Sequence, residues 1–394
     1  MTDFTTTTRA VRAGIDRDSA FGAVTPPIVL SSNFSFDGFD GKRPYDYSRS
    51  GNPTRDLLGE ALAGLEGGAG AIVTSSGLGA ITLVLHAYLE RGQRIVVPHD
   101  CYGGSWRLFK ALAGRVGFIV DTVDFNDTAA LDAALALRPR IVWIETPSNP
   151  LLRITDVAAV ARKAKAVGAL TIADNTFLSP ALQQPLALGC DLVVHSTTKY
   201  LNGHSDVVGG AVVASTAEQV ETLGWWANAL GLTGAPFDSF LTLRGLRTLD
   251  ARIRLHEQNA NALAPLLAAH PAVGKVHYPG LADHPGHEIA KTQQKGFGGM
   301  ISLELNDSEA AVRAFLDGLQ LFTLAESLGG VESLVAHPAT MTHAAMDAEA
   351  QALAGITPGL LRLSVGIEAT EDLAGDLIAA LDRAAACPKQ GLAA

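Results

Sequence analysis

The sequence predicts an α/β fold in which a mostly parallel central sheet is joined to an α+β C-terminal domain and an extended N-terminal arm. Three short apolar runs, at 141–144, 170–173 and 192–194, have the length and composition of buried strands. Between the first two, apolar residues recur with helical spacing from 156 to 167. Strand, helix and strand in that order form the repeating unit of parallel sheets.

Each of the three runs is followed by a polar residue suited to chemistry: Asn149, Asp174 and Lys199. Because parallel sheets bind ligands beyond the carboxyl ends of their strands, we expect these side chains to meet at one edge. A partly desolvated lysine there can lose its proton and attack an aldehyde. An aspartate beside it can keep a pyridine nitrogen protonated, so the pair predicts pyridoxal 5′-phosphate (PLP) as the cofactor.

Two further segments predict where the phosphate of that cofactor binds. Ser196 and Thr198 lie beside the lysine and offer hydroxyl groups. Gly77 and Leu78 open a predicted helix, where free backbone N–H groups and the positive end of the helix dipole suit a phosphate. A glycine turn before a helix also serves as a plain connection, so this second indication is weak by itself.

Residues 1–49 are predicted to form the arm, because the threonines at 5–8 and several prolines disfavour regular structure. Tyr47 and Arg49 are two residues apart, so in an extended segment they point the same way and can hold one anion. A surface turn explains that segment equally well. Tyr102 follows the predicted strand 94–97 and is placed either to stack on a flat cofactor or to fill the core beneath its loop.

The α/β domain is predicted at 50–247 and the α+β domain at 248–394. Within the second, apolar and polar residues alternate at 301–305 and 361–367, which predicts half-buried strands of a mostly antiparallel sheet. Helices around 309–316 and 373–381 are expected to cover one face. Arg362 lies on the polar side of its strand, as a solvated residue or as the group that binds a substrate carboxylate.

Composition excludes several classes of function. The chain has 30 Lys and Arg against 40 Asp and Glu, and the net charge of −10 argues against nucleic-acid binding. The uncharged stretch 71–89 contains glycine and hydroxyl residues, so we interpret it as strand, turn and helix instead of a membrane span. Three scattered cysteines and no export signal indicate the cytoplasm. No histidine is assigned to the site, and no metal is expected.

Six segments together resemble the Cys/Met-metabolism family of fold-type I PLP-dependent enzymes, and the resemblance runs over essentially the whole chain. They are Asp-Tyr-Ser-Arg at 46–49, Tyr-Gly-Gly at 102–104, Glu-Thr-Pro-Ser-Asn-Pro at 145–150, Asp-Asn-Thr at 174–176, His-Ser-Thr-Thr-Lys-Tyr at 195–200 and Glu-Ser-Leu-Gly-Gly at 326–330. The resemblance implies that Lys199 binds the cofactor covalently, Asp174 pairs with its ring nitrogen and Asn149 contacts its phenolic oxygen.

The same resemblance assigns the remaining site residues. Cofactor contacts are expected from Tyr47, Arg49, Gly77, Leu78, Tyr102, Asn149, Asp174, Thr176, Ser196, Thr198 and Lys199, of which Lys199 and Tyr102 are expected to be catalytic. Substrate contacts are expected from Asp46, Arg107, Asn149, Glu326, Ser327 and Arg362. Because Tyr47 and Arg49 are expected to reach a neighbouring subunit's phosphate, the resemblance implies an active dimer and a homotetramer of two such dimers.

Within the family, Asp46 before Tyr47 and the segments 225–228, 233–234 and 321–343 most resemble the bacterial enzymes of methionine biosynthesis that make cystathionine. Those enzymes replace the acyloxy group of O-succinylhomoserine or O-acetylhomoserine with cysteine. Three alternatives stay open: cleavage of cystathionine by γ-elimination, sulfhydrylation of O-acylhomoserine, and a regulator that binds PLP without turnover. The full catalytic set, with no added DNA-binding segment, disfavours the regulator.

Overall fold

The computed structural model describes residues 4–306 and 309–387 of the chain. The first three residues of the predicted arm, the pair 307–308 and the end of the chain from 388 lie outside the described residues. The predicted domain boundaries after 49 and after 247 stay predictions.

The described residues form two sheets with helices packed against them. The helices are α1 Thr6–Val11, α2 Pro53–Glu66, α3 Gly77–Tyr88, α4 Gly103–Val116, α5 Thr128–Ala136, α6 Val157–Ala166, α7 Ser179–Leu182, α8 Ala217–Leu230, α9 Pro236–Leu246, α10 Leu249–Ala268, α11 His287–Gln293, α12 Glu309–Leu316, α13 Ala348–Ala354 and α14 Thr370–Ala385. The strands are β1 Gly70–Thr74, β2 Arg94–Pro98, β3 Ile119–Val123, β4 Ile141–Glu145, β5 Leu170–Asp174, β6 Leu192–His195, β7 Gly210–Ala214, β8 Val273–His277, β9 Met300–Leu305, β10 Thr323–Leu324, β11 Leu334–Ala336 and β12 Leu360–Ser364.

The larger sheet has seven strands in the order β1-β7-β6-β5-β4-β2-β3. The pairs β6–β5, β5–β4, β4–β2 and β2–β3 are parallel, and β7 runs antiparallel to both of its neighbours. This confirms the predicted α/β fold with a mostly parallel sheet. Every residue of β4, β6 and β7 is buried, which is typical of a sheet covered by helices on both faces.

The second sheet has five strands in the order β10-β11-β12-β9-β8 and is antiparallel except at β10–β11. Helices α10, α12 and α14 pack on it around a core that includes Leu263, Phe315 and Leu377, so the predicted helical face is confirmed. The prediction of half-buried strands is wrong, because all five residues of β12 are buried. The loop after β4 covers the polar face of this sheet: Ser302 Oγ of β9 donates a 2.6 Å hydrogen bond to the carbonyl of Pro150, and Arg362 of β12 bonds to Asn149.

Two smaller differences between the expected and the observed secondary structure have local causes. The threonines at 6–8 do enter a helix, because the side chain of Thr5, the residue before it, caps α1 by accepting from Thr8 N. The glycine-rich segment after the site lysine becomes a strand only at Gly210, because Gly209 pairs with the loop that carries that lysine. There Gly209 N donates to Thr198 Oγ1 at 3.0 Å, and its carbonyl accepts from Thr197 N at 3.0 Å.

The uncharged stretch 71–89 folds as predicted, with β1 followed by a short turn and α3. Ser76 caps α3 by accepting a hydrogen bond from Gly79 N. Among the described residues, no helix has both the length and the apolar character needed to cross a membrane.

Candidate functional site

A cavity of about 400 Å³ lies between the carboxyl ends of the parallel strands and the polar face of the second sheet. Twelve of the predicted site residues line it: Gly77, Leu78, Tyr102, Asn149, Asp174, Thr176, Ser196, Thr198, Lys199, Glu326, Ser327 and Arg362. The structure therefore brings together residues that are up to 285 positions apart (77 to 362). Their individual roles stay predictions.

Four predicted site residues do not line this cavity: Asp46, Tyr47, Arg49 and Arg107. Arg49 Nε donates to Asn228 Oδ1 at 3.0 Å, and its guanidinium lies 5.3 Å from the centre of the Tyr47 ring. Arg107 is exposed on α4. The cofactor and substrate contacts of these four residues stay predictions. Tyr47 and Arg49 stay predicted to reach the cofactor of a neighbouring subunit.

The side chain of Lys199 lies in the cavity and is held by the second sheet's loop. Its Nζ donates a 2.7 Å hydrogen bond to Ser327 Oγ. Burial, and then the positive charge of Arg362, lower the pKa of Lys199 to about 8. A large fraction of the amine is therefore neutral slightly above neutral pH, as covalent attachment to an aldehyde requires.

Ser327 has a strained backbone, with a φ of 88° in the region that favours glycine. In this conformation its hydroxyl meets Lys199 while its carbonyl accepts a 2.9 Å hydrogen bond from Arg362 Nη2. One residue thus positions both the amine and the guanidinium.

Asp174 and Glu145 end neighbouring parallel strands and are directly paired in register. Burial raises the pKa of Asp174, and hydrogen bonds from Thr176 oppose the rise; its Oδ1 accepts from Thr176 N at 3.0 Å. Burial also raises the pKa of Glu145, and the nearby Asp174 raises it further. A protonated pyridine nitrogen at this edge would offset the cost of an ionised Asp174, so the carboxyl pair fits the ring of PLP.

The start of α3 fits a phosphate. Ser76 Oγ accepts from Gly79 N at 3.0 Å, and the first two residues of α3, Gly77 and Leu78, line the cavity with N–H groups that have no acceptor within the helix. A Cβ at position 77 would lie 2.8 Å from Ser196 Cβ, so only glycine leaves room there. Together with the hydroxyls of Ser196 and Thr198, this is a small, anion-binding cradle.

Arg362 is a buried residue, only 2% exposed, which excludes the solvated alternative. Its Nη1 donates to Asn149 Oδ1 at 2.8 Å and its Nη2 to the carbonyl of Ser327 at 2.9 Å. Its Nε is buried without a partner in the part of the chain that the structure describes. Burial lowers the pKa of Arg362 to about 10, so the guanidinium is still charged near neutral pH and can bind a carboxylate.

Tyr102 faces the cavity with 39% of its surface exposed, so the alternative of a core aromatic beneath the loop is wrong. Its backbone N–H donates to both carboxyl oxygens of Glu145, at 2.9 and 3.1 Å. Cys101 beside it is fully buried, and burial raises its thiol pKa, so it is a packed residue and not a nucleophile.

Sequence reasoning gave no role to Glu145 or to any histidine, yet two histidines support the site. His343 is fully buried, with Nε2 2.9 Å from the carbonyl oxygen of Asn149. Burial lowers the pKa of His343 to about 4, so its ring is neutral. His195 is the second and is bonded to Glu66. His195 and Glu145 each begin one of the segments that carry the family resemblance, which was their sequence signal; nothing singled out Glu66.

Comparisons with known proteins agree with this geometry. The family model described as Cys/Met metabolism PLP-dependent enzyme matches residues 7–382. The cystathionine gamma-synthase of Escherichia coli (strain K12) is 58% identical over 94% of this chain and 96% of its own. The cystathionine beta-lyase of Lactococcus lactis subsp. cremoris (strain MG1363) is 48% identical over 95% of this chain and 98% of its own.

A solved structure is closer in sequence than either of these. The cystathionine gamma synthase of Xanthomonas oryzae pv. oryzae, crystallised in complex with cystathionine, is 70% identical and superposes with a TM-score of 0.97. The match covers 98% of this chain and 100% of the other. From these matches and the cavity's geometry, the chain belongs to the Cys/Met-metabolism family of PLP-dependent enzymes.

Proposed function

We propose that this enzyme is a cystathionine γ-synthase, which joins an O-acylhomoserine to L-cysteine and releases L-cystathionine and the free acid. The shared anchoring of Lys199 and Arg362 by Ser327 sets an amine and a carboxylate receptor side by side, as a PLP-dependent reaction on an amino acid requires. The observation that carries the choice of reaction is the 70% identity to a cystathionine gamma synthase solved in complex with cystathionine. The acyl group, succinyl or acetyl, is left open.

The chain's own residues divide the work in this proposal. PLP, when bound, supplies an electron sink that acidifies carbon atoms near the substrate nitrogen. Asp174 would pair with the protonated ring nitrogen, and Tyr102 would stack on the ring. Arg362 fixes the substrate α-carboxylate, so that the α-hydrogen is presented to Lys199.

Lys199 moves the protons. Its Nζ, with a pKa of about 8, can take up and give back protons without a large energetic cost. Proton removal at Cα and then at Cβ lets the acyloxy group leave Cγ as a carboxylate with the electron pair of the broken C–O bond. The cysteine sulfur, having lost its proton, then bonds to Cγ, and protons return to Cβ and Cα. Ser327 Oγ, 2.7 Å from Nζ, keeps the amine on this side of the cavity.

We also propose a homotetramer of two active dimers, working in the cytoplasm. Tyr47 and Arg49 lie outside their own chain's cavity, which supports a contact across a subunit boundary. The arm also leaves large apolar residues uncovered, with Phe21 93% and Phe39 98% exposed. The three cysteines, all unpaired, suit a reducing compartment.

The second candidate is cleavage of cystathionine. The 48% identity to a cystathionine beta-lyase favours it. Cleavage by γ-elimination, one of the alternatives left open by the sequence, begins with the same proton transfers as the proposed synthesis. Sulfhydrylation would differ only in the incoming sulfur. All three begin with the same lysine, so the shared residues do not separate them.

The deciding experiment supplies purified holoenzyme with O-succinylhomoserine or O-acetylhomoserine plus cysteine, then with sulfide, then with cystathionine alone. Chromatography of the products should show cystathionine as the main product of the first mixtures. Cleavage of cystathionine without synthesis would overturn the proposed reaction, and so would homocysteine from sulfide as the dominant product. No turnover by PLP-loaded protein would favour the regulator.

A further inference from the structure

A buried Glu–His pair lies directly behind the cofactor-binding edge of the larger sheet. Glu66 Oε1 and His195 Nε2 are 2.7 Å apart, and both side chains are fully shielded from solvent. Asn175 Nδ2 donates to the same oxygen of Glu66 at 2.9 Å. A single carboxyl oxygen on α2 therefore receives hydrogen bonds from the ends of both β5 and β6.

The partners of Glu66 are the sequence neighbours of cofactor residues. Asn175 follows Asp174, and His195 precedes Ser196. The two strand ends are also bonded to each other, since Asn175 N donates to the carbonyl of Val194 at 3.0 Å. Movement of Glu66 would therefore be passed to the ring-nitrogen partner and to the phosphate cradle together.

The buried Glu66–His195 pair lowers the stability of the fold, so folding by itself does not explain its presence. Glu66 is the last residue of α2, where the negative end of the helix dipole opposes a carboxylate. Glu66 Oε2 and His195 Nδ1 are both buried without a partner among the described residues. Apolar side chains of similar size would avoid these costs, because a buried pair rarely repays its desolvation.

We propose that Glu66 and His195 are positioning residues for PLP, which hold the ends of β5 and β6 at the separation that the ring nitrogen and the phosphate require. They touch neither cofactor nor substrate; they act through Asn175, Asp174 and Ser196. The inference rests on PLP binding, which the family establishes, and not on the reaction proposed above.

The test compares the PLP dissociation constants of four variants, measured by absorbance titration of the apoenzyme with PLP. Urea unfolding measures the stability of each variant in parallel. Glu66→Leu and His195→Leu are expected to weaken PLP binding about tenfold or more, as for other residues that orient direct ligands. Glu66→Gln is expected to bind within about twofold of the unchanged protein, because its amide oxygen still accepts from Asn175 and His195.

The matched control is Glu304→Leu. Glu304 Oε1 and His277 Nε2 form a similar pair, 2.8 Å apart, in the second sheet and outside the cavity lining. This variant should lose stability without losing PLP affinity. Unchanged affinity in the leucine variants of the first pair would overturn the proposal, and so would an equal loss in Glu304→Leu or Glu66→Gln.

A further variant tests the proposal if the leucine variants do not fold. If neither leucine variant folds, Asn175→Ser removes one hydrogen bond to Glu66 and keeps the Glu66–His195 contact. It is expected to weaken PLP binding severalfold, and unchanged affinity would contradict the proposed positioning. Loss of PLP affinity is separable from loss of γ-replacement, because the titration needs no substrate.

Discussion

Arg362 on the second sheet and Asn149 in the loop after β4 of the first are joined by a 2.8 Å hydrogen bond from Nη1 to Oδ1. The bond links the residue proposed to bind the substrate carboxylate to one expected to contact the cofactor ring. His343 supports it from behind by its contact with the Asn149 carbonyl. The two binding functions are therefore geometrically coupled.

Replacing Arg362 should chiefly weaken substrate binding. Hydrogen bonds to charged groups contribute about 1.5–3 kcal/mol each, so Arg362→Lys should raise KM by about one to two orders of magnitude. Arg362→Ala should raise it further, because Asn149 also loses its partner. Steady-state kinetics with O-succinylhomoserine measures this, and Arg313→Lys on the surface is the control. An unchanged KM would place Arg362 outside the substrate site.

Lys199→Ala should abolish turnover and the absorbance of covalently bound PLP. Borohydride reduction of the unchanged holoenzyme should fix the cofactor on the peptide that contains Lys199, as peptide mass analysis can show. Lys163→Ala, which removes an exposed partner of Asp132, should behave like the unchanged protein. Retained turnover in Lys199→Ala would refute the assignment of this lysine.

The attachment of PLP to the apoenzyme should depend on pH through Lys199. Its pKa of about 8 means that the neutral amine falls about tenfold for each pH unit below that value. The rate of attachment, followed by stopped-flow absorbance, should rise with pH and level off above about 8. Arg362→Gln should move the midpoint upward, because it removes a nearby positive charge that disfavours the ammonium form.

The same shift has a consequence for the stability of the apoenzyme. The folded-state pKa of Lys199 is below its ordinary value of 10.5, so between the two values the unfolded chain binds more protons. The contribution of this group to stability is therefore present above the ordinary value and is lost as pH falls through about 8. Urea unfolding of apoenzyme and Lys199→Met at several alkaline pH values measures the difference. A difference independent of pH would contradict the shift.

Gly77→Ala should weaken PLP binding, because the new methyl group would lie 2.8 Å from Ser196 Cβ inside the phosphate cradle. The control is Gly114→Ala in α4, where nothing lies within 4 Å of the new Cβ. That control should leave PLP affinity unchanged and stabilise the fold by about 0.5–1 kcal/mol. Equal PLP affinity in both variants would show that the turn does not approach the phosphate.

Shared sites can be tested by mixing two inactive variants. Arg49→Ala and Lys199→Ala should each be nearly inactive, since each damages every site of its own homodimer. Unfolded together and refolded, they should form hybrid dimers in which one site has both residues intact. Activity should return to about a quarter of the unchanged level by random pairing. No recovery would place Arg49 at the site of its own chain, and an active Arg49→Ala homodimer would place it outside any site.

The sequence was sufficient for the residues whose role follows from strand ends. Asn149, Asp174 and Lys199 were predicted to meet because parallel strands deliver their ends to one edge, and the cavity confirms that they do. The hydroxyls of Ser196 and Thr198 were found the same way, because they flank the lysine.

The features that the sequence did not predict depend on contacts between segments far apart in the chain. The alternation in β12 correctly located its polar face, but periodicity does not report that another layer covers it, so Arg362 was left open between surface and site. Glu66 and His195 are 129 positions apart, and neither lies in a pattern that indicates a partner. Tyr47 and Arg49 keep two interpretations, because one chain does not contain the surface they are proposed to meet.

Ser327 gives the enzyme a mechanical property as well as a chemical one. Its carbonyl bond to Arg362 lies within the second sheet's layer, whereas its hydroxyl bond to Lys199 crosses to the layer of the first sheet. The bond from Arg362 to Asn149 crosses in the same way, so any hinge motion between the layers must break both crossing contacts at once. Opening of the two layers would release the substrate and take Lys199 out of position for proton transfer in a single step. Closing would restore substrate binding and the position of the lysine together.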